Sequence, residues 1–368
     1  MEILYEGVVE LFTVVGLKRI VMWLIGGLLI YLAIKKDMEP TLLLPMGFGA
    51  IVVNIPAIYE GALGTLFKAG ISNELFPLIL FIGIGAMIDF GPILSNPKLM
   101  IFGAAAQFGI FFTFSLASMF FSLPEAASIG IIGAADGPTA IVVAQKLLGN
   151  ESNITGAIMV AAYSYMALVP VIQPPIIKLL TTKKERLIRM PYKPKNVSKT
   201  TRILFPIIIT IIAGLVAPES IDLLGFLMFG NLIRECGVLN SLSETAQKVL
   251  ANLITIFLGI TVATQMTADK FLSPATLLIL GLGLFAFIFD TAGGILVAKF
   301  INLFSKEKIN PMIGAAGISA FPMSGRVVHK MGLKEDPQNF LLMHSIGVNV
   351  SGQIASVIAG GLILSFML

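Results

Sequence analysis

The chain has 368 residues, of which 56% are hydrophobic and 12% are charged, with a formal net charge of +4. Its mean hydropathy is +0.92, whereas soluble domains carry about 25% charged residues, so the composition excludes an ordinary soluble protein. The single cysteine, Cys236, excludes an intrachain disulfide and a metal-thiolate centre.

Apolar segments of roughly 20 residues, the length that a helix needs to cross a bilayer, recur from one end of the chain to the other. They predict an all-α polytopic membrane protein with about ten transmembrane helices, some of them broken. The acidic residues Glu2, Glu6 and Glu10 precede the first apolar segment. A cleavable signal peptide has a positively charged leader instead, so we expect no cleavage. The predicted spans are 20–34, 40–58, 76–94, 99–121, 125–148, 155–180, 203–218, 222–235, 247–267, 273–301 and 338–367.

The N-terminal half, residues 1–180, contains a carboxylate inside the apolar segment 125–148. Asp136 is followed directly by Gly137 and Pro138, which predict a broken helix. A charge at membrane depth costs about 2.5–3.5 kcal/mol, and a break is tolerated there only beside protein or a water-filled cavity. We therefore expect Asp136 to lie on an ion path; the alternative is a protonated carboxyl or one that caps a helix.

A strongly basic loop, residues 181–202, joins the two halves. From Lys178 to Arg202 the chain carries nine Lys or Arg residues and one acid, Glu185. The positive-inside rule places this loop in the cytoplasm. Besides setting the topology, such a loop can dock an acidic partner.

The C-terminal half, residues 203–368, contains the Gly- and Pro-rich segment 310–326. This segment is too short to cross twice and has basic residues on both sides, so we predict a re-entrant hairpin that enters from the cytoplasm. The halves also repeat short patterns in the same order. These are Phe81-Ile82-Gly83-Ile84 and Ile132-Gly133-Ala134-Ala135 in the first half, and Phe257-Leu258-Gly259-Ile260 and Ile313-Gly314-Ala315-Ala316 in the second. Paired interrupted segments favour inverted repeats with a site at the midplane.

Sodium ions prefer hard oxygen ligands, and one carboxylate with several neutral oxygens balances their charge. Neutral oxygens occur at the other broken segments. Each such residue taken alone is more typical of an interhelical hydrogen bond, but their grouping favours a functional site. The residues concerned are Thr139, Asn310, Ser319, Asn349 and Ser351.

Two tyrosines and one arginine are further candidates. Tyr163 and Tyr165 lie deep in the segment 155–180, away from an interfacial belt, where packing is the alternative role. Arg326 ends the hairpin, where its guanidinium suits a small carboxylate or simply reaches the interface. Asp89 and Asp290 are more typical of structural carboxylates.

The sequence contains no phosphate-binding glycine loop, no nucleophile elbow and no signature of nucleic-acid binding. The residues alone therefore predict a cation carrier of the secondary-transporter type.

Several longer motifs carry a resemblance to a known family. They are Gly-Ala-Ala-Asp-Gly-Pro-Thr-Ala at 133–140, Ala-Ala-Tyr-Ser-Tyr-Met-Ala-Leu-Val-Pro-Val-Ile-Gln-Pro-Pro-Ile at 161–176, Phe-Gly-Asn-Leu-Ile-Arg-Glu-Cys-Gly-Val at 229–238, and the segments 310–326 and 339–352. Over nearly its whole length the chain resembles the beta subunit of the biotin-dependent sodium-translocating decarboxylases.

The resemblance implies an activity and a set of partners. In that family a carboxyltransferase alpha subunit moves a carboxyl group from an acid to biotin on a carrier subunit. The beta subunit then decarboxylates carboxybiotin, exports Na⁺ and consumes a proton. The implied assembly is a homotrimer in the inner membrane with small gamma or delta subunits, and each chain folds as two inverted repeats that form a scaffold and an elevator-like core.

The resemblance also implies residue roles. Asp136 matches the essential ion-binding carboxylate, and Tyr165 matches a residue of proton and sodium exchange. Arg326 matches an arginine that meets carboxybiotin. The further implied sodium ligands are Asn310, Ser319 and Asn349, and the implied structural residues are Gly137, Pro138 and Gly314.

Two other classes remain as alternatives, a stand-alone sodium-coupled carrier or sodium/proton exchanger and a noncatalytic membrane scaffold. The scaffold fits poorly with so many intramembrane polar residues. The acid substrate is chosen by the soluble partner. The short stretch between Pro56 and Phe76 favours a coenzyme-A thioester, glutaconyl or methylmalonyl, over oxaloacetate.

Overall fold

The computed structural model describes residues 9–56, 61–149, 152–192 and 196–368, and within these ranges it contains helices and no strand. Glu2, Glu6, Lys193 and Lys195 lie outside the described residues. In the first half the helices are α1 (Val14–Lys36), α2 (Pro40–Val53), α3 (Gly61–Gly70), α4 (Leu75–Met87), α5 (Gly91–Ser95), α6 (Met100–Ala106), α7 (Phe108–Ala117), α8 (Leu123–Gly130), α9 (Gly137–Leu148) and α10 (Asn153–Leu180).

The remaining helices begin within or after the basic loop. They are α11 (Lys183–Arg186), α12 (Lys199–Val216), α13 (Ile221–Glu235), α14 (Asn240–Glu244), α15 (Ala251–Val262), α16 (Ala268–Phe271), α17 (Pro274–Phe304), α18 (Met323–Glu335) and α19 (Leu342–Met367). Short 3₁₀ helices cover Pro97–Leu99, Ile131–Ala134, Pro218–Ser220, Ala263–Gln265 and Pro311–Gly317, and one π-helical stretch covers Thr245–Leu250.

Seven described helices or helix pairs are long and apolar enough to cross a membrane, and α3 with α4, bent by 66°, would make an eighth. The prediction of an all-α polytopic membrane protein is confirmed, but the number falls short of the predicted ten. The difference lies in short elements: α2 has 14 residues and α13 has 15, whereas a span needs about 20. The predicted span 125–148 is also divided, into α8, a 3₁₀ turn and α9.

The segment predicted as a re-entrant hairpin, 310–326, continues into α18, and the longer segment 310–339 has both of its ends on the basic loop. At its start the Asn310 amide donates to the carbonyls of Arg186 and Ile188, both at 2.9 Å. At its end Glu335 accepts from the Arg186 guanidinium at 2.7 Å, and the Asn339 amide donates to the Arg186 carbonyl at 2.8 Å. The chain therefore enters as the 3₁₀ helix Pro311–Gly317 and returns as α18 on the same side.

The helix α9 lies where three clusters of buried apolar side chains meet. Ile141 packs in a cluster with α1, α2 and α15, and Val142 packs with α13 and the middle of α19. Val143 packs with α7, α17 and the hairpin. Because consecutive residues of one helix point in different directions, α9 is enclosed on every side, and so is the residue that precedes it.

Candidate functional site

Asp136 stands at the N-terminus of α9, directly after the break. The 3₁₀ turn Ile131–Ala134 ends at Ala135, whose φ of 52° is left-handed, and Asp136 is extended. Pro138 occupies the first turn of α9, where its missing N–H costs nothing. The carboxylate is only 3% exposed and faces the positive end of the helix dipole, which favours negative charge.

One carboxylate oxygen of Asp136 accepts three hydrogen bonds. The Thr139 hydroxyl donates to Oδ2 at 2.6 Å and the Gln353 amide donates to the same atom at 2.9 Å. The Ser356 hydroxyl lies at 3.4 Å, a longer contact. All four residues are buried. A charge inside an apolar protein is thus compensated by neutral polar groups and not by a cationic side chain.

Gln353 and Ser356 were not among the residues singled out from the sequence. They follow Asn349 at the spacing i, i+4 and i+7, so the three share one face of α19. That spacing was visible in the sequence once Asn349 had been selected. What the sequence does not give is the rotation of α19 about its axis, which turns this face toward Asp136.

The cluster offers the ligands that a sodium ion needs. Asp136, Thr139, Gln353 and Ser356 each carry oxygen, and rotation of the Gln353 amide would turn its oxygen toward a cation. Among the described residues there is no group of three or more His, Cys, Asp or Glu side chains that could hold a metal. A site with one carboxylate and neutral oxygens suits a monovalent ion better than a divalent one.

Ser319 and Asn349 lie close to this cluster through the backbone. The Ser319 N–H donates to the Ala134 carbonyl at 3.0 Å, so the two broken segments are joined by a hydrogen bond. The Ser319 hydroxyl donates to the Gly352 carbonyl, and the Asn349 amide donates to the Ile318 carbonyl at 2.6 Å. The buried Asn349 Oδ1 has no partner among the described residues, which leaves it available as a ligand.

Asn310 is placed differently from the other predicted ligands. Both protons of its amide are used by the basic loop, and its Oδ1 accepts from the Met312 N–H at 3.1 Å, which caps the 3₁₀ helix. No hydrogen bond connects Asn310 with Asp136 or with its partners in the described part of the chain. In this conformation Asn310 anchors the start of the hairpin and is separate from the Asp136 cluster.

The two tyrosines have different surroundings. Tyr163 packs its ring against Gly137, next to Asp136, and its buried hydroxyl has no hydrogen-bond partner among the described residues. Tyr165, the tyrosine favoured by the resemblance, donates its hydroxyl to the Leu280 carbonyl of α17. Tyr163 is therefore the tyrosine beside the carboxylate.

Glycines allow the broken segments to pack this closely. A Cβ at Gly137 would lie 2.5 Å from the Tyr163 ring, and one at Gly314 would lie 2.1 Å from the Gly294 carbonyl oxygen of α17. Both distances are too short for real carbon contacts. Gly137 and Gly314 thus occupy positions where only glycine fits without movement.

The two further carboxylates have structural contacts. Asp89 accepts from the Gly91 N–H at 2.7 Å at the start of α5. The buried Asp290 accepts from the Ile110 N–H at 3.1 Å at the start of α7. Each carboxylate thus accepts from a backbone N–H near a helix N-terminus, where donors are in excess; the Ile110 N–H also donates to the Gln107 carbonyl.

Arg326 lines a pocket of about 540 Å³ on the side of the basic loop. The side chain is exposed and makes no hydrogen bond or ion pair within the described ranges. The pocket is bounded by the α1–α2 turn, α10 and α18. Its charged lining residues are Asp37, Glu39, Lys178, Arg326, Lys330 and Lys334. Four cations against two carboxylates favour an anionic ligand.

Comparison with known proteins gives one consistent result. The sequence profile of a family described as "Na+-transporting oxaloacetate decarboxylase beta subunit" matches residues 18–367. The chain is 49% identical to the methylmalonyl-CoA decarboxylase subunit beta of Propionigenium modestum, over 94% of each chain. It is 50% identical to the subunit of that name from Veillonella parvula, over 94% of this chain and 92% of the relative. It is 45% identical to the oxaloacetate decarboxylase beta chain of Klebsiella pneumoniae, over 96% of each chain.

Proposed function

Because the chain belongs to the family of beta subunits of sodium-transporting decarboxylases, we propose that Asp136 and its neighbours hold the transported sodium ion and that Arg326 receives carboxybiotin. The activity of the family is decarboxylation coupled to sodium transport, in a multi-subunit complex in the membrane. The stand-alone carrier is not favoured, since the relatives are named as decarboxylase subunits.

The observation that carries the sodium assignment is the environment of one carboxylate. Asp136 is buried, has three neutral polar partners and has no cationic side chain among its hydrogen-bond partners. We assign Thr139, Gln353 and Ser356 as its partners in ion binding. Ser319 of the segment 310–326 and Asn349 of α19 are assigned as further ligands. Asn310 joins the site only if the hairpin moves away from the basic loop.

The Arg326 pocket has the chemistry that a carboxylate ligand requires. The planar guanidinium can form two parallel hydrogen bonds to a carboxylate, and Lys178, Lys330 and Lys334 add positive charge around it. When bound, carboxybiotin supplies the carboxyl group that leaves as CO₂, while its ureido nitrogen takes up a proton. Arg326 orients that carboxyl group.

Coupling follows from the connection between the two sites. The chain runs from Ser319, bonded to Ala134 beside the ion cluster, directly into α18, which carries Arg326. We propose that sodium and the biotin ligand both bias the position of this one body, which a coupled pump requires. Tyr163 packs its ring against Gly137, next to Asp136, and its buried hydroxyl has no hydrogen-bond partner among the described residues. We assign Tyr163 to proton and sodium exchange, in place of Tyr165.

The proposed partners are a biotin carrier subunit, a carboxyltransferase alpha subunit and a small gamma or delta membrane subunit. We propose a homotrimer of this chain in the inner membrane, with two inverted halves that form a scaffold and a moving core. The pocket on the basic-loop side would face the cytoplasm, where the carrier is available.

For the substrate of the complex we propose a coenzyme-A thioester. The alignment with the Veillonella relative takes 349 positions, whereas the alignment with the Klebsiella oxaloacetate relative takes 421 for a similar share of this chain. The methylmalonyl-type relative thus needs far fewer insertions. Identification of the carboxyltransferase that co-purifies with the chain, followed by assays of sodium-dependent turnover with methylmalonyl-CoA, glutaconyl-CoA and oxaloacetate, tests this assignment.

The sodium assignment is tested with Asp136→Asn in the complex reconstituted into vesicles. We expect loss of sodium uptake and of sodium-dependent decarboxylation, while carboxyl transfer to biotin in the alpha subunit continues. Asp269→Asn changes the same chemical group at an exposed position, 70% accessible, and should pump normally. Normal pumping by Asp136→Asn would overturn the assignment.

A further inference from the structure

The turn between α1 and α2 places two acidic residues at the Arg326 pocket on an unusual backbone. Asp37 has a φ of 52° and Glu39 has a φ of 37°, a left-handed region that residues with a Cβ rarely adopt. Glu39 also precedes Pro40, which restricts its backbone further. The side chain of Met38, between them, is 5% exposed and anchors the turn. Such a backbone persists only where its surroundings hold it, commonly at ligand sites.

The Glu39 side chain is not used by the local structure. It makes no capping bond to the start of α2, and no hydrogen bond or ion pair connects it with another described residue. Burial raises the pKa of Glu39, whereas the charge of Arg326 lowers it and Asp37 raises it. Burial is the largest of these causes, so the pKa of Glu39 is raised overall. Glu39 and Arg326 line the same pocket, and the charge of Arg326 is the one that opposes this rise.

We propose that Glu39 is a counter-anion of the pocket. Its carboxylate attracts the Arg326 guanidinium when the pocket is empty and repels the carboxylate of the substrate when the substrate is bound. The proposal rests on the proposed function, in which Arg326 receives carboxybiotin. It adds a residue from a different helix pair, α1–α2, to the machinery of α18. Glu39 is a positioning residue, because it acts on the ligand through charge and through Arg326.

The repulsion favours the reaction because decarboxylation removes the charge. One N–C bond breaks, CO₂ leaves, and the electron pair stays on the ureido nitrogen, which takes up one proton. A fixed anion therefore raises the free energy of the bound carboxylate more than that of the neutral products, which is catalysis by ground-state destabilisation. After CO₂ has left, Arg326 again interacts with Glu39, and the pocket returns to its empty arrangement.

The first test measures binding without turnover. In an Asp136→Asn complex, which the proposed function predicts to be inactive, the dissociation constant of a carboxylated biotin carrier is compared with and without Glu39→Gln. We expect Glu39→Gln to tighten the carboxylated carrier by about ten-fold and to leave the uncarboxylated carrier unchanged. Glu307→Gln, the same change of side chain at an exposed residue outside the pocket lining, should change neither constant by more than about two-fold.

The second test separates kcat from KM in the otherwise unchanged complex. Removal of ground-state strain lowers kcat and KM together, so Glu39→Gln should lower both by about ten-fold. Glu39→Asp keeps the charge and should keep the parental KM. An unchanged or higher KM in Glu39→Gln, or an equal response to Glu307→Gln, would overturn the proposal.

Two further measurements, on Arg326→Gln and Asp136→Asn, identify a failure of the proposed function itself. If Arg326→Gln binds the carboxylated carrier as well as the parent does, or if Asp136→Asn still decarboxylates it, the sites are wrongly assigned. If those two variants behave as expected and only Glu39→Gln has no effect, then the role of Glu39 alone is refuted.

Discussion

Gln353 contributes to the ion cluster with an amide that can either donate or accept. In the structure its nitrogen donates to Asp136 at 2.9 Å, and its oxygen becomes a ligand after rotation about the last side-chain bond. The amide is thereby suited to both the empty and the loaded state of the site. Thr139 and Ser356 have hydroxyl groups with the same double capacity.

Replacement of Gln353 by Leu should weaken sodium binding and not the chemistry at saturating sodium. We expect the sodium concentration for half-maximal decarboxylation to rise by about ten-fold, the usual cost of a lost supporting ligand. The matched control is Gln145→Leu in α9, because both amide atoms of Gln145 are buried without a partner among the described residues. Identical sodium dependence in the two variants would contradict the placement of Gln353 at the ion.

At the scale of the element, the 3₁₀ helix Pro311–Gly317 fits against α17 because two glycines face each other. A Cβ at Gly314 would lie 2.1 Å from the Gly294 carbonyl oxygen, and a Cβ at Gly294 would lie 2.0 Å from that of Gly314. The atoms in contact on both segments are backbone atoms, so a side-chain rotation cannot relieve a clash between them. The position of the hairpin relative to α17 is therefore set by these two residues.

The variant Gly314→Ala should displace the hairpin and lower stability by about 1–3 kcal/mol, the usual cost of overpacking. The displacement reaches Ser319 and the ion cluster, so sodium transport should fall more than expression does. Gly281→Ala, in α17 with no atom within 4 Å of the added carbon, is the control. Thermal unfolding in detergent and sodium uptake in vesicles measure the two effects; equal results for the two alanines would contradict this account.

Much of this arrangement of elements could be predicted from the sequence, and the limits have physical causes. Hydropathy and Gly-Pro breaks locate the helices and the interruption at Asp136, because these signals are local. Thr139, three residues along the chain, is a local partner of Asp136 and is visible in the sequence. Gln353 and Ser356 are not local, since their contact depends on how α19 is rotated about its axis. The sequence also groups Asn310 with Ser319, which follows it by nine positions. The structure separates them, because the Asn310 amide donates to the basic loop, a contact that depends on the tertiary fold.

Across the whole molecule, the basic loop acts as a clamp on both ends of the hairpin and on α18. Arg189 pairs with Asp336 at 2.5 Å and Arg186 pairs with Glu335 at 2.7 Å. The hydrogen bond from Arg189 lowers the pKa of Asp336. A carboxyl whose pKa is lowered on folding stabilises the folded contact above its unfolded pKa, about 3.9, and this contribution is lost as the pH falls through the folded value.

The clamp should therefore be closed at neutral pH and open in acid below about pH 4. Asp336→Asn should show at neutral pH the loosening that the parent shows only in acid. Hydrogen exchange of the backbone amides in 181–192 measures the loosening. The control is Asp269→Asn, which removes an exposed carboxylate that pairs with Lys18 and not with the basic loop, and it should leave the exchange unchanged. Equal protection in Asp336→Asn and the parent would contradict the clamp.

The hydrogen bond from Ser319 to the Ala134 carbonyl makes the two sites thermodynamic partners. Arg326 is only seven positions after Ser319, and Ala134 is two positions before Asp136. A ligand that pulls on α18 thus changes the ion site, and by reciprocity an ion at Asp136 must change the affinity for that ligand by the same factor. In the proposed function, sodium is therefore both cargo and effector, because its binding at Asp136 would change the affinity of the pocket for a loaded carrier before any ion has crossed the membrane.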